Sequence, residues 1–182
     1  MHSKLLHLFQ LFVISALVFT GDATTASALP SFPSYVQIVQ SQNYVDPAEV
    51  AIGGVQIGSS MDYVRSIYGE PTTVRTYYDR VFYGNCEDWT YGDSFIIRFA
   101  QSGTAYSVAS TKDNGIKTPA GFTVGQNING VIDYFGSDKM TRTYDKTSGT
   151  YIYRVYCNSY TYLVFTTDKK GKISRISLVE NP

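Results

Sequence analysis

Gly54-Val55-Gln56-Ile57-Gly58 returns 67 residues later as Gly121-Phe122-Thr123-Val124-Gly125. At the same offset Val64 answers Val131, Tyr68-Gly69 answers Phe135-Gly136, and Arg75-Thr76-Tyr77 answers Arg142-Thr143-Tyr144. After small length changes Phe99, Gly103 and Val108 correspond to Phe165, Gly171 and Ile176. Only two copies exist, so the chain reads as a duplicated module and not as a solenoid, whose stacked units need more repeats to bury a continuous core. Any fold for this chain has to accommodate that duplication.

Each copy opens with a helix. In the first, Ser59 followed by Ser60-Met61-Asp62 gives the Ser-x-x-Asp pattern of a helix start. Met61, Val64, Ile67 and Tyr68 form one apolar stripe at helical spacing, Gly69 ends it and Pro71 prevents its resumption. The second copy repeats this with Asn127 as cap, the stripe Ile128, Val131, Tyr134 and Phe135, and Gly136 as terminator. The expected helices are 60–68 and 127–135. Strands follow at 73–77, 81–83, 94–99 and 104–110, then at 139–144, 150–156, 160–166 and 172–179. These segments are rich in Tyr, Phe, Val, Ile and Thr and are separated by turn residues such as Asp79-Arg80, Ser102-Gly103, Ser148-Gly149 and Lys170-Gly171. Strands so close in sequence pair antiparallel. The expected fold class is therefore α+β: two tandem modules, each a helix packed on an antiparallel sheet of about four strands.

Ahead of the repeat, Leu11 to Phe19 is an apolar stretch followed by Ala26-Ser27-Ala28, the small-x-small form of a signal-peptidase site. The alternative is an uncleaved anchor, for which the stretch is short. The division is a signal peptide at 1–28, a leader at 29–52, the first module at 53–111, and linker plus second module at 112–182. Within the leader, Asp46-Pro47-Ala48-Glu49 has the form of a capped helical turn. The expected localisation is exported, periplasmic or secreted, with no transmembrane segment after cleavage.

Cleavage would remove His2 and His7, the only two histidines. A Ser-His-Asp or Cys-His centre is then excluded, as is histidine-ligated zinc, copper or non-haem iron. No metal site, cofactor or catalytic residue is assigned. The whole chain carries 15 basic and 15 acidic residues, so no basic excess points to nucleic acid. Charge is uneven along it: residues 49–111 hold 7 acidic and 4 basic side chains, residues 112–182 hold 6 and 10.

Two candidate binding regions emerge. The first is the connection 84–93, read as a long loop with no counterpart in the second copy; it carries Glu87, Asp88, Trp89, Tyr91 and Asp93. Loops on a rigid sheet are where binding residues concentrate, and the alternative is a plain solvated loop. The second is the sheet face turned away from the helices. Period two sends Phe95, Ile97, Phe99, Leu163 and Phe165 toward the helices and Ile96, Arg98, Tyr160 and Tyr162 the other way. Arg75 with Tyr77, and Arg142 with Tyr144, are expected to join them. Tyr and Arg are enriched in binding hot spots; the competing reading is that the two open faces pack on each other.

Cys86 and Cys157 are the only cysteines. In an oxidising compartment they allow one disulfide, Cys86–Cys157, tying the 84–93 connection to the second sheet; the alternative is two buried thiols.

The order Gly-x-x-x-Gly, capped helix, Tyr-Gly or Phe-Gly, then a strand meander closed by Gly and a final apolar strand resembles the beta-lactamase inhibitor protein-like (BLIP-like) fold. It is also similar in pattern to the SmpA/OmlA family of outer-membrane assembly lipoproteins, although the lipid-bearing cysteine of that family is absent. The resemblance spans roughly residues 53–179 and implies a tandem-module fold that binds protein, with no catalytic residue to carry over. The expected function is an exported noncatalytic binding module that recognises a protein or cell-envelope component through the Tyr-rich face and the 84–93 connection. A structural or assembly factor of the cell envelope is the alternative.

Overall fold

A computed structural model describes residues 43–180. The expected signal peptide at 1–28 and residues 29–42 of the expected leader lie outside the described residues. Val45 is already buried and its N–H donates to the Tyr156 carbonyl. Asp46 caps a 3-10 turn at Pro47–Glu49 by accepting from the Ala48 N–H, because Pro47 has no N–H to satisfy and is pre-set for that turn. The end of the leader is therefore part of the folded core.

The first half contains helix α1 (Met61–Tyr68) and strands β1 (Thr73–Asp79), β2 (Gly84–Tyr91), β3 (Phe95–Phe99) and β4 (Ala105–Ser110). The second contains α2 (Asn129–Phe135), β5 (Met140–Asp145), β6 (Thr150–Tyr156), β7 (Thr161–Thr167) and β8 (Ile173–Glu180). Ser60, and not Ser59, caps α1: its Oγ accepts from the Tyr63 N–H at 3.1 Å. The cap position of α2 is Ile128, which has no capping side chain, while Asn127 Oδ1 accepts from the Asn129 N–H just beyond it.

The same backbone contacts recur in the two halves. Gly58 donates to the Ala105 carbonyl as Gly125 donates to that of Ile173, and Met61 bonds Gly103 as Ile128 bonds Gly171. A register shift between Arg98 and Phe99 recurs between Thr166 and Thr167. Gly103 and Gly171 have φ of 77° and 76°, a turn conformation that side chains disfavour, which explains why glycine recurs there.

The expectation of two α+β modules, each with its own sheet, is overturned. All eight strands form one antiparallel sheet in the order β1-β2-β3-β4-β8-β7-β6-β5. The last strand of each meander pairs with the other, Val108 opposite Leu178 and Ser110 opposite Ile176. Two meanders left separate would expose four edges; joining β4 to β8 satisfies two of them and leaves β1 and β5 as the edges among the described residues. The sheet dominates, and the helices are short, of 8 and 7 residues. Val64, Val131 and Phe135 from the helices cover one face, over Trp89, Ile97, Phe99, Val155, Leu163, Phe165, Ile176 and Leu178 in a single core.

Two further corrections concern local structure. Residues 81–83 are a turn, and 84–91 is strand β2, so no long loop exists there. Tyr83, with φ of 48°, closes that turn, and Asp79 Oδ1 accepts from the Val81 N–H within it. The run Asn85, Glu87, Asp88 reads as loop because polar residues fall on both sides of β2: Glu87 accepts from the Trp89 indole on the helix side and Asp88 pairs with Arg75 and Arg98 on the other. The Cys86–Cys157 disulfide is also absent: both cysteines are free and buried. Four strands stand between β2 and β6. At about 4.8 Å per strand the separation is roughly 24 Å, against a limit of about 7 Å for a bridge. Cys157 belongs to the helix-side core, whereas Cys86 shares a face with Asp88.

Candidate functional site: the sheet face away from the helices

Strand register fixes which side chains share the face away from the helices. Arg75 stands opposite Asp88, Asp88 opposite Arg98, and Arg98 opposite Ser107. Ser107 stands opposite Val179, Val179 opposite Tyr162, and Tyr162 opposite Tyr156. The alternation that buries Phe99 and Phe165 sends these residues to the other side. Neither half packs its open face on the other, because the halves meet edge to edge.

Asp88 is the electrostatic centre of the first half of this face. Its carboxylate is buried and lies 3.1 Å from Arg75 Nη2 and 3.3 Å from Arg98 Nε. Beside it the Tyr77 and Tyr106 hydroxyls share a hydrogen bond, and the Phe82 ring lies 4.5 Å from that of Tyr106. Burial raises both hydroxyl pKa values, and Tyr106 is pushed further up by its hydrogen bond to Tyr77.

The second half of the face is a depression of about 590 Å³ lined by Thr141, Ile152, Arg154, Tyr156, Tyr162 and Val179, among others. The Tyr156 and Tyr162 rings meet at 5.7 Å. Arg154 donates to Thr143 Oγ1 at 3.3 Å. Arg175, on the same face opposite Thr166, has its pKa lowered by burial and by the charge of Arg98. Away from the strand-end turns, the face thus holds four arginines, Arg75, Arg98, Arg154 and Arg175, against one carboxylate, Asp88. Arginines interleaved with tyrosines are suited to holding anionic groups.

The residues singled out from sequence divide between the two faces. Tyr77, Asp88 and Tyr162 stand on the open face. Glu87, Trp89 and Tyr91 stand on the helix side of β2, opposite Phe99, Ile97 and Phe95. Trp89 is 1% exposed, its Nε1–H donates to Glu87 Oε2 at 2.7 Å, and the Arg65 guanidinium covers its ring at 4.5 Å. Trp89 is a core residue. Tyr91 donates to the Gly69 carbonyl and secures the end of α1.

Tyr144 and Arg142 also lie on the helix side, opposite Tyr151 and Tyr153, and the Arg142 guanidinium covers the Tyr151 ring at 4.2 Å. The match of Arg142 and Tyr144 to Arg75 and Tyr77 is one of sequence and not of face, because a one-residue slip in register turns every side chain of a strand to the other side. A 3-10 turn at Ser137–Lys139 precedes β5, with no counterpart before β1. Tyr160 sits in the β6–β7 turn and is 66% exposed. Arg154, Tyr156, Arg175 and Tyr106 were missed; period-two alternation along β6 and β8 carries the signal for the first three, whereas Tyr106 lies at the register shift, where alternation fails.

Among the described residues, no three His, Cys, Asp or Glu side chains form a group able to hold a metal ion, and no helix is long and apolar enough to cross a membrane. No protein-family model matches the chain. No curated protein matches it. Among solved structures, the chain is similar to an extracellular protein containing a SCP domain from Bacillus anthracis str. Ames, at 11% identity and a TM-score of 0.45. The match covers 68% of this chain and 44% of that one, so this chain corresponds to less than half the length of its structural neighbour.

Proposed function

We propose that this chain is an exported, noncatalytic binding module, and that the sheet face away from its helices takes a protein or cell-envelope component bearing acidic groups. The observation that carries this reading is the four arginines against one carboxylate away from the strand ends, where Asp79 and Asp145 cap turns, set among Tyr77, Tyr106, Tyr156 and Tyr162. Arg pairs carboxylates in bidentate fashion, and Tyr adds rigid contact area at low entropic cost. The resemblance in pattern to the inhibitor-like fold favours a protein as the partner. Export rests on the apolar stretch before Ala26-Ser27-Ala28.

Affinity capture from the exported fraction tests the reading. Components retained by the parent chain should be lost with the double variant Arg154→Glu, Tyr162→Ala and released by moderate salt, while Lys169→Glu, in a turn off this face, should leave capture intact. Equal capture by the double variant would overturn it. N-terminal sequencing of exported material should begin at or near Leu29; retention of Met1 would overturn the export part alone.

A further inference from the structure

Among the described residues the eight-stranded sheet ends in two edges that pair with no further strand, β1 and β5. Natural edge strands are guarded against pairing by lysines, prolines, bulges or short length. Strand β1 carries Arg75 and Asp79 but has no lysine, proline or bulge within it: Thr73-Val74-Arg75-Thr76-Tyr77-Tyr78-Asp79 runs for 7 residues in unbroken register with β2. Exposed apolar surface is concentrated at the same place. Of 11 exposed large hydrophobic side chains among the described residues, five lie on β1 or the turn after it: Val74, Tyr78, Val81, Phe82 and Tyr83. Val74 is 52% and Tyr78 61% exposed. The other edge, β5, is shorter at 6 residues and is flanked by Lys139 and Lys146.

We infer that β1 is a dimerisation edge, pairing antiparallel with β1 of a second copy about a twofold axis through Thr76. An axis normal to the sheet keeps the open faces of both copies on one side, so only residues of like face can stand opposite each other. Centring the pair on Arg75 sets two guanidinium groups opposite one another. Centring it on Tyr77 leaves β1 paired only over 75–79. Centring it on Thr76 pairs the whole strand. Val74 then meets Tyr78 of the second copy on the helix side, and Arg75 meets its Tyr77 on the open face. Within one chain the Arg75 guanidinium already lies 5.0 Å from the Tyr77 ring. Thr73 meets Asp79 at each end. A β-branched–aromatic pair and a cation–aromatic pair, each made twice, are favourable cross-strand contacts. The backbone groups left open along β1 find partners in the same step.

The inference is independent of what the open face binds. Sedimentation equilibrium of the purified chain is expected to return twice the chain mass. Thr76→Lys places two ammonium groups opposite each other at the axis and should return the single-chain mass, with the circular dichroism of the parent. Thr143→Lys on β5 should leave the dimer intact. Should Thr76→Lys fail to fold, Thr76→Cys provides a second readout: mild oxidation joins two chains through residue 76, and Thr143→Cys gives no such product. A parent chain at single-chain mass up to its solubility limit overturns the inference, including the case in which hydrogen exchange finds β1 protected by another part of the same chain. A dimer that survives Thr76→Lys overturns it as well.

Discussion

Asp88 shows how much one side chain on this sheet decides. Its carboxylate is buried, yet Arg75 keeps a side chain 71% exposed and Arg98 one 41% exposed, so water shares in stabilising both partners. Removing the carboxylate leaves guanidinium groups that can still be hydrated, which holds the cost to about 1–2 kcal/mol, below that of breaking a fully buried pair. Urea denaturation of Asp88→Ala should show that loss, while capture of an acidic partner should persist or strengthen because two arginines are released. Cys157 gives a pH test. Burial pushes its thiol from 9.0 up to about 11. The folded state therefore keeps a proton that the unfolded state gives up, and stability falls as pH rises from 9 toward 11, while below 9 the contribution is fully present. The expected loss by pH 11 is roughly 2 kcal/mol. Raised tyrosine pKa values at Tyr68, Tyr77, Tyr91 and Tyr106 add in the same direction above their ordinary value of 10.0. Cys157→Ser, measured across that range in urea, should flatten the slope.

At the scale of single elements, the two helices differ more in their starts than in their packing. Ser60 holds the Tyr63 N–H, so Ser60→Ala should cost about 1 kcal/mol in a urea titration. Isolated helices of this length are not stable in water, and both are held by the core they cover. Val64 and Val131, the matching stripe residues, are each fully buried. The helix positions, the glycine stops and seven of the eight strands are legible in the sequence, because helical spacing and alternation are local patterns, whereas the capping residues fell one position later than expected. Strand β2 is the exception. Its polar residues Asn85, Glu87 and Asp88 obey alternation only once Glu87 is seen to serve the Trp89 indole and Asp88 to serve two arginines.

For the whole molecule, the β4–β8 seam makes the halves one cooperative body. The core runs unbroken from Val64 and Ile97 in one half to Leu163 and Leu178 in the other. Calorimetry should therefore find one unfolding transition whose calorimetric and van't Hoff enthalpies agree. Leu178→Ala, at the seam and fully buried, should lower the entire transition by about 2–5 kcal/mol without splitting it. Two resolved transitions would show that the halves fold as separate units.

The sequence by itself determined the recurring Gly-x-x-x-Gly pattern, the positions of the helices and most strands, and the inward set Phe95, Ile97, Phe99, Leu163 and Phe165. Each of these is written in the spacing of neighbouring residues. Only the tertiary structure decided that β4 pairs with β8, that Trp89 faces the core, that Tyr144 and Arg142 turn to the helix side, and that two cysteines stand too far apart to bond. These outcomes depend on pairings between residues distant in sequence, and a shift of one residue in register reverses which face a side chain serves. The arginine-rich surface belongs to the same class. Arg75, Arg98, Arg154 and Arg175 lie far apart along the chain, and it is the joining of two meanders into one sheet that gathers them on a single face.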